Sequence, residues 1–116
     1  MSYPRRFQET VEEGKSSYSV HVFEAENAVV ALFNEKPRIL LGTLVMAVPQ
    51  LDYRGYFSSL LLGDRNVVFT KVLAERLASS FKKMALVSTN LNANLTNKEM
   101  RVLSKLLQKM TKTNKT

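Results

Sequence analysis

The spacing of apolar and polar residues changes period along this chain. From Ser16 to Phe23 it alternates, with Tyr18, Val20 and Val22 on one side and Ser17, Ser19, His21 and Phe23 on the other. A period of two predicts a half-buried strand. Glu24–Asn27 is a polar break, and the valine-rich run Ala28–Phe33 predicts a second strand. Asn34-Glu35-Lys36-Pro37 is a turn signal, so the runs flanking it are expected to pair as a hairpin. Arg38–Val48 predicts a long third strand, apolar enough that both of its faces should be covered. Gly42 inside it marks a bulge or a close backbone approach, and Pro49 ends it. Tyr56–Leu62 predicts a fourth strand, closed by Gly63-Asp64.

The period then lengthens. Phe69, Leu73, Leu77 and Phe81 recur every fourth residue, which predicts an amphipathic helix over Asn66–Lys82. Lys82 and Lys83 fall at its C-terminal end, where cations complement the helix dipole. Met84–Leu91 predicts a fifth strand and Asn92–Asn94 a turn. Thr96-Asn97-Lys98-Glu99 has the form of a capping box, with Leu95 and Met100 at hydrophobic-staple positions, and the helix it opens is expected to reach Met110. Residues 1–15 read as a polar N-terminal segment, 16–110 as one domain and 111–116 as a polar tail. The order β-β-β-β-α-β-α predicts the α+β class, an antiparallel sheet with two helices packed on it. The other sheet face must be solvated or covered. Because Ile39–Val48 is too apolar to face water widely, a partner subunit is one way to cover it.

Composition adds limits. The 116 residues, 45% apolar, suit a single domain with its own core. There is no cysteine, which excludes disulfides, thiolate metal sites and a cysteine nucleophile, and favours a reducing compartment. Met1–Lys15 lacks the apolar stretch of a signal peptide, and the longest apolar run, Ile39–Pro49, is too short to span a bilayer. The expectation is a cytoplasmic protein, with the nucleus also open to it, and no membrane partner. The net charge of +7 is unevenly placed: residues 1–81 hold nine basic and nine acidic side chains, while residues 82–116 hold eight basic and one acidic. At about 100° per helical residue, Arg101, Lys105, Lys109 and Lys112 fall within about 60° of Lys98, while Val102, Leu103, Leu106, Leu107 and Met110 spread from about 40° to about 180°. Such a basic stripe is either a solvated helix face or a docking stripe for an acidic surface.

Catalytic signals are absent. His21 is the only histidine, so no histidine pair can hold a metal, and no nucleophile elbow or phosphate-cradling glycine loop is present. The carboxylates show no paired spacing for acid–base work. A binding protein with no enzymatic activity, cofactor or metal is expected. The basic third also allows an alternative, a small nucleic-acid-binding domain. No aromatic residue follows Lys82, which weakens a base-stacking mode and leaves phosphate binding. Tyr53, Arg54, Tyr56 and Phe57 are residue types enriched at interface hot spots, and are candidates for partner binding unless their rings join the core.

Four stretches together resemble the proteasome assembly chaperone 4 family. They are Ser19-Val20-His21-Val22-Phe23, Leu61-Leu62-Gly63-Asp64, Leu73-Ala74-Glu75-Arg76-Leu77-Ala78 and Val87-Ser88-Thr89-Asn90-Leu91. From Leu61 to Leu91 the spacing follows the family's without a gap, whereas between Phe23 and Leu61 this chain is shorter. The resemblance implies a non-catalytic chaperone that pairs as a heterodimer with a paralogue, proteasome assembly chaperone 3. The pair would bind an α-type subunit and promote α-ring assembly of the 20S core particle. The candidate partner-binding residues read from the sequence itself are Tyr53, Tyr56 and Phe57, near a loop, and Lys98, Arg101, Lys105 and Lys109 on the last helix.

Overall fold

A computed structural model describes residues 3–35, 38–49, 56–91 and 97–115, with the side chains of 13, 56, 97–99 and 110–115 left aside. The chain runs through β1 (Arg5–Glu13), β2 (Ser16–Glu24), β3 (Ala28–Glu35), β4 (Thr43–Pro49), β5 (Tyr56–Leu62), α1 (Val67–Phe81), β6 (Met84–Asn90) and α2 (Asn97–Lys115). The fold class is the expected α+β, with one strand more than expected. That strand is β1, within the segment read as a polar arm. Its alternation is hidden because only Phe7 and Val11 are apolar on the inward side, opposite Arg6, Gln8, Thr10 and Glu12. At the other end α2 continues past Met110 to Lys115. The capping-box and staple residues Leu95 and Thr96, the side chain of Glu99, and the turn at 92–94 lie outside the described residues.

The six strands form one sheet in the order β1-β2-β3-β6-β4-β5, antiparallel except for the β3–β6 pair. The hairpin expected around residues 34–37 does not form. β6 lies between β3 and β4, pairing parallel with the first (Val30 with Leu86) and antiparallel with the second (Met46 with Leu86). The chain leaving β3 must therefore pass over the end of β6 before β4 can start. Residues 38–42, expected to be strand, make that crossing instead. The Leu40 amide donates to Asn34 Oδ1 at 3.1 Å and the Gly42 amide donates to Ser88 Oγ at 2.8 Å. Asn34 and Ser88 are thereby buried although they point away from the helices. Gly42 is required by proximity, since a Cβ there would lie 2.2 Å from the Thr89 carbonyl oxygen.

Both helices cover one face. Val20, Val22, Val29, Ala31, Phe33, Val45, Ala47, Ala85 and Val87 point inward from the strands and meet Leu73, Leu77, Leu103 and Leu106. α1 lies mainly over β4, β5 and β6, and α2 over β1 and β2. Polar groups under α1 are paired: Thr70 Oγ1 donates to the Asn66 carbonyl at 2.7 Å and lies 2.8 Å from Thr89 Oγ1. Ser58 Oγ, from β5, donates to Glu75 Oε2 of α1 at 2.6 Å.

β1 is held at its start by a buried carboxylate. Glu24 is 2% exposed. Lys83 Nζ donates to Glu24 Oε2 at 2.6 Å, to the Ala25 carbonyl at 3.0 Å and to the Tyr3 hydroxyl at 3.2 Å. Arg5 Nη1 lies 3.3 Å from Glu24 Oε1 as an ion contact rather than an aligned hydrogen bond. Lys83 thus serves β1 and β2, not the α1 dipole as the sequence suggested. Burial works against its charge, but the hydrogen bonds to Glu24 and Tyr3 and the attraction of the carboxylate outweigh that, and its pKa is raised.

Two outcomes are expected. Gly42→Ala should cost about 2 kcal/mol or more, because the neighbouring atoms are backbone and cannot give way, and urea unfolding should show a lower midpoint at unchanged slope. Lys83→Met should cost about 1–3 kcal/mol, because it leaves the buried Glu24 carboxylate with only the Arg5 contact. Because the lysine pKa is raised on folding, its stabilisation is complete below the ordinary lysine value of about 10.4 and is lost as pH rises through the folded value. Thermal melts between neutral and strongly alkaline pH should therefore fall more steeply for the wild type than for Lys83→Met, and parallel curves would contradict the assignment.

Candidate functional site

The sheet face opposite the helices is open. Strand periodicity sends every second residue there, and register aligns these residues in rows. One row runs Arg6, Phe23, Val30, Leu86, Met46 and Ser59. The next runs Gln8, His21, Leu32, Ser88, Leu44 and Leu62. At the far end Val48 pairs with Phe57, and Met84 with Ala28. From β3 across β6 and β4 to β5, no outward position among the described residues carries a charge. Among the described strand residues, charged side chains appear on this face only at the β1 edge, where Arg6 sits 5.9 Å from the Phe23 ring centroid.

An open antiparallel face in a monomer normally alternates to polar residues. Here it is apolar and part-exposed: Phe57 and Leu62 are each 52% exposed and Phe23 is 41% exposed. The crossing segment extends the apolar surface with Ile39 and Leu41, both largely exposed. Within this chain the third strand is covered on one face only. In β4, Thr43, Val45 and Ala47 are buried beneath α1, while Leu44, Met46 and Val48 are only half-buried on the open side. Contiguous apolar surface of this kind marks an interaction site. His21 lies in the face between Gln8 and Leu32, half-buried and with no second histidine near it. Among the described residues no three His, Cys, Asp or Glu side chains come together in a way that could hold a metal, and no helix is long and apolar enough to cross a membrane.

The two edges differ. β1 carries charges along its length and resists further pairing by other chains. β5, with sequence Tyr-Phe-Ser-Ser-Leu-Leu-Leu, is apolar, and its register with β4 shifts between Leu44 and Val45. That irregularity brings both Leu61 and Leu62 to solvent.

Of the residues that sequence reasoning selected, Phe57 lies on the open face. Tyr53 lies outside the described residues, as do the side chains of Tyr56 and Lys98. Arg101, Lys105 and Lys109 are exposed on α2, on the other side of the molecule, opposite the buried Val102, Leu103, Leu106 and Leu107. The two groups therefore belong to two separate surfaces. Sequence reasoning put Phe23 on the outward side of its strand but missed Val30, Leu32, Met46 and Leu86 as residues of the open face. Their alternation with core residues was visible, but which of two apolar faces the helices cover was not.

The second surface is a groove between α1 and α2 of about 860 Å³. Arg76, Arg101 and Lys105 stand over walls that include Val68, Val72 and Met100. Val68 is 77% exposed, the most of any described large apolar residue. Among the described residues no carboxylate lines the groove.

No protein-family model matches the chain, and no curated protein matches it in sequence. Among solved structures, it is similar to a chain from a chaperone complex for yeast 20S proteasome assembly. The TM-score is 0.66 over 96% of this chain and 94% of that one, at 15% sequence identity, so the likeness is one of fold.

Proposed function

We propose that this protein is a proteasome assembly chaperone without enzymatic activity, working as one half of a dimer. The observation that carries the reading is the open sheet face: uncharged from β3 to β5, apolar, and left bare by both helices. A face of this kind is suited to the sheet of a second subunit of similar fold, since two twisted sheets pack face to face about 10 Å apart with interdigitating side chains. The fold shared with a chain of a yeast 20S assembly chaperone complex supports this reading, as does the sequence resemblance to the proteasome assembly chaperone 4 family. The partner on the sheet is then a paralogous chaperone, of the proteasome assembly chaperone 3 kind. The client is an α-type subunit, met through a polar, charge-tuned contact that permits release. The basic side of α2 is the candidate for that contact, and the place of work is the cytoplasm, with the nucleus also open to it.

Two measurements test the proposal. Tagged protein recovered from cell extract should bring down a small paralogue and proteasome α-type subunits without the mature particle. Recovery of nucleic acid in their place, lost at raised salt, would favour the phosphate-binding alternative. Met46→Glu and Phe57→Glu place a charge in the middle and at one end of the open face. Each should weaken paralogue binding by about 30-fold or more, as expected for a hot-spot position, with an unchanged melting temperature for the isolated chain. Binding that survives both substitutions would remove the sheet face from the account.

A further inference from the structure

The groove between the helices has a chemistry of its own. Val68, Val72 and Arg76 follow one another at four-residue intervals and form one ridge of α1. Arg101, Lys105 and their neighbour Ser104 form the facing ridge of α2. Past Arg76 the groove continues into a hollow of about 380 Å³ lined by Ser79, Ser80 and Leu107. From Val68 to Ser80 at about 1.5 Å per residue, the channel is about 18 Å long.

Three features decide what fits. The length suits several residues of an extended or helical segment rather than a small molecule. The walls are aliphatic and exposed, and a soluble helix does not ordinarily place two valines at such neighbouring outward positions unless something packs on them. Among the described residues every charged side chain in the lining is cationic: Arg76, Arg101 and Lys105 are exposed and make no ion pair there. Nucleic acid would use the cations but not the valines, and Phe69, the one aromatic side chain in the lining, is buried and offers no face for base stacking.

We infer that the α1–α2 groove docks an acidic amphipathic segment of a partner protein, its apolar side chains against Val68, Val72 and Met100 and its carboxylates against Arg76, Arg101 and Lys105. This deepens the proposed function, which supplies only the identity of the protein that carries the segment. The two guanidinium groups favour carboxylates through paired hydrogen bonds, and the aliphatic floor selects a segment whose charges lie on one side.

The test uses the whole chain and no proteasome component, so its result is separate from that of the sheet-face experiments. The probe is a fluorescein-labelled peptide of about 14 residues, enough to fill the groove as a helix, with leucines on one face and glutamates on the other. Fluorescence anisotropy should show saturable binding that weakens with salt. Arg101→Glu combined with Lys105→Glu should reduce affinity about tenfold or more. Val68→Ser combined with Val72→Ser should reduce it about fivefold, with unchanged melting temperatures because all four positions are exposed. A peptide of the same composition, scrambled so that leucine and glutamate no longer segregate, should bind more weakly than the probe. The inference is overturned if the amphipathic peptide shows no saturable binding, or if the scrambled peptide binds equally well. It is also overturned if the valine substitutions have no effect, or if a single-stranded oligonucleotide of equal charge binds more tightly than the peptide.

Discussion

The fold depends on β6 being wedged between β3 and β4. Six strands with their connections could form two separate hairpin sheets. Inserting β6 joins them by a parallel ladder on one side and an antiparallel ladder on the other. Every outward constraint follows. The β3–β4 connection must cross the end of β6, so Gly42 lies against the Thr89 carbonyl, and Asn34 and Ser88 turn their polar groups to the crossing backbone. α1, which delivers the chain to β6, lies over β4, β5 and β6 on the same side as α2. With both helices committed to one side, the other side of the sheet is left uncovered.

That asymmetry accounts for the polar groups inside as well as the apolar groups outside. The inner face is closed by valine, leucine and phenylalanine, with Thr70, Thr89 and Asn66 joined by hydrogen bonds near the start of α1. Glu24, the one deeply buried charge among the described residues, is neutralised by Lys83 and Arg5, and the cluster fastens β1 to the rest of the sheet. The outer face uses no such pairing between β3 and β5, because it has no charges to pair. Water is therefore its poorest neighbour, and another apolar sheet one of its best.

The two candidate surfaces divide the chemistry between them. The sheet face is broad and uncharged, suited to a partner bound for the lifetime of a complex. The helix groove is narrow, with aliphatic walls and a cationic rim, suited to contact that salt and competing charge can loosen. The placement of the two surfaces on opposite sides lets both be occupied together.

By itself, the sequence determined the local elements. Alternation at Tyr18, Val20 and Val22 and four-residue recurrence at Phe69, Leu73, Leu77 and Phe81 are properties of neighbouring residues, and they predict β2 and α1 within a residue or two of where they lie. The one-sided charge of the last third and the close approach at Gly42 were legible for the same reason. β1 was not, because a strand at a sheet edge needs few apolar residues and takes its order from pairing with β2. Nor was the order of strands, since Val30 and Leu86 are brought together by ladders between segments far apart in the chain, and nothing local distinguishes that pairing from a hairpin across residues 34–37. Met46 and Leu86 read as core by composition, and only the tertiary structure left them on the open face. Which face of an apolar strand is buried depends on where the helices land, and the helices land according to how β6 enters the sheet.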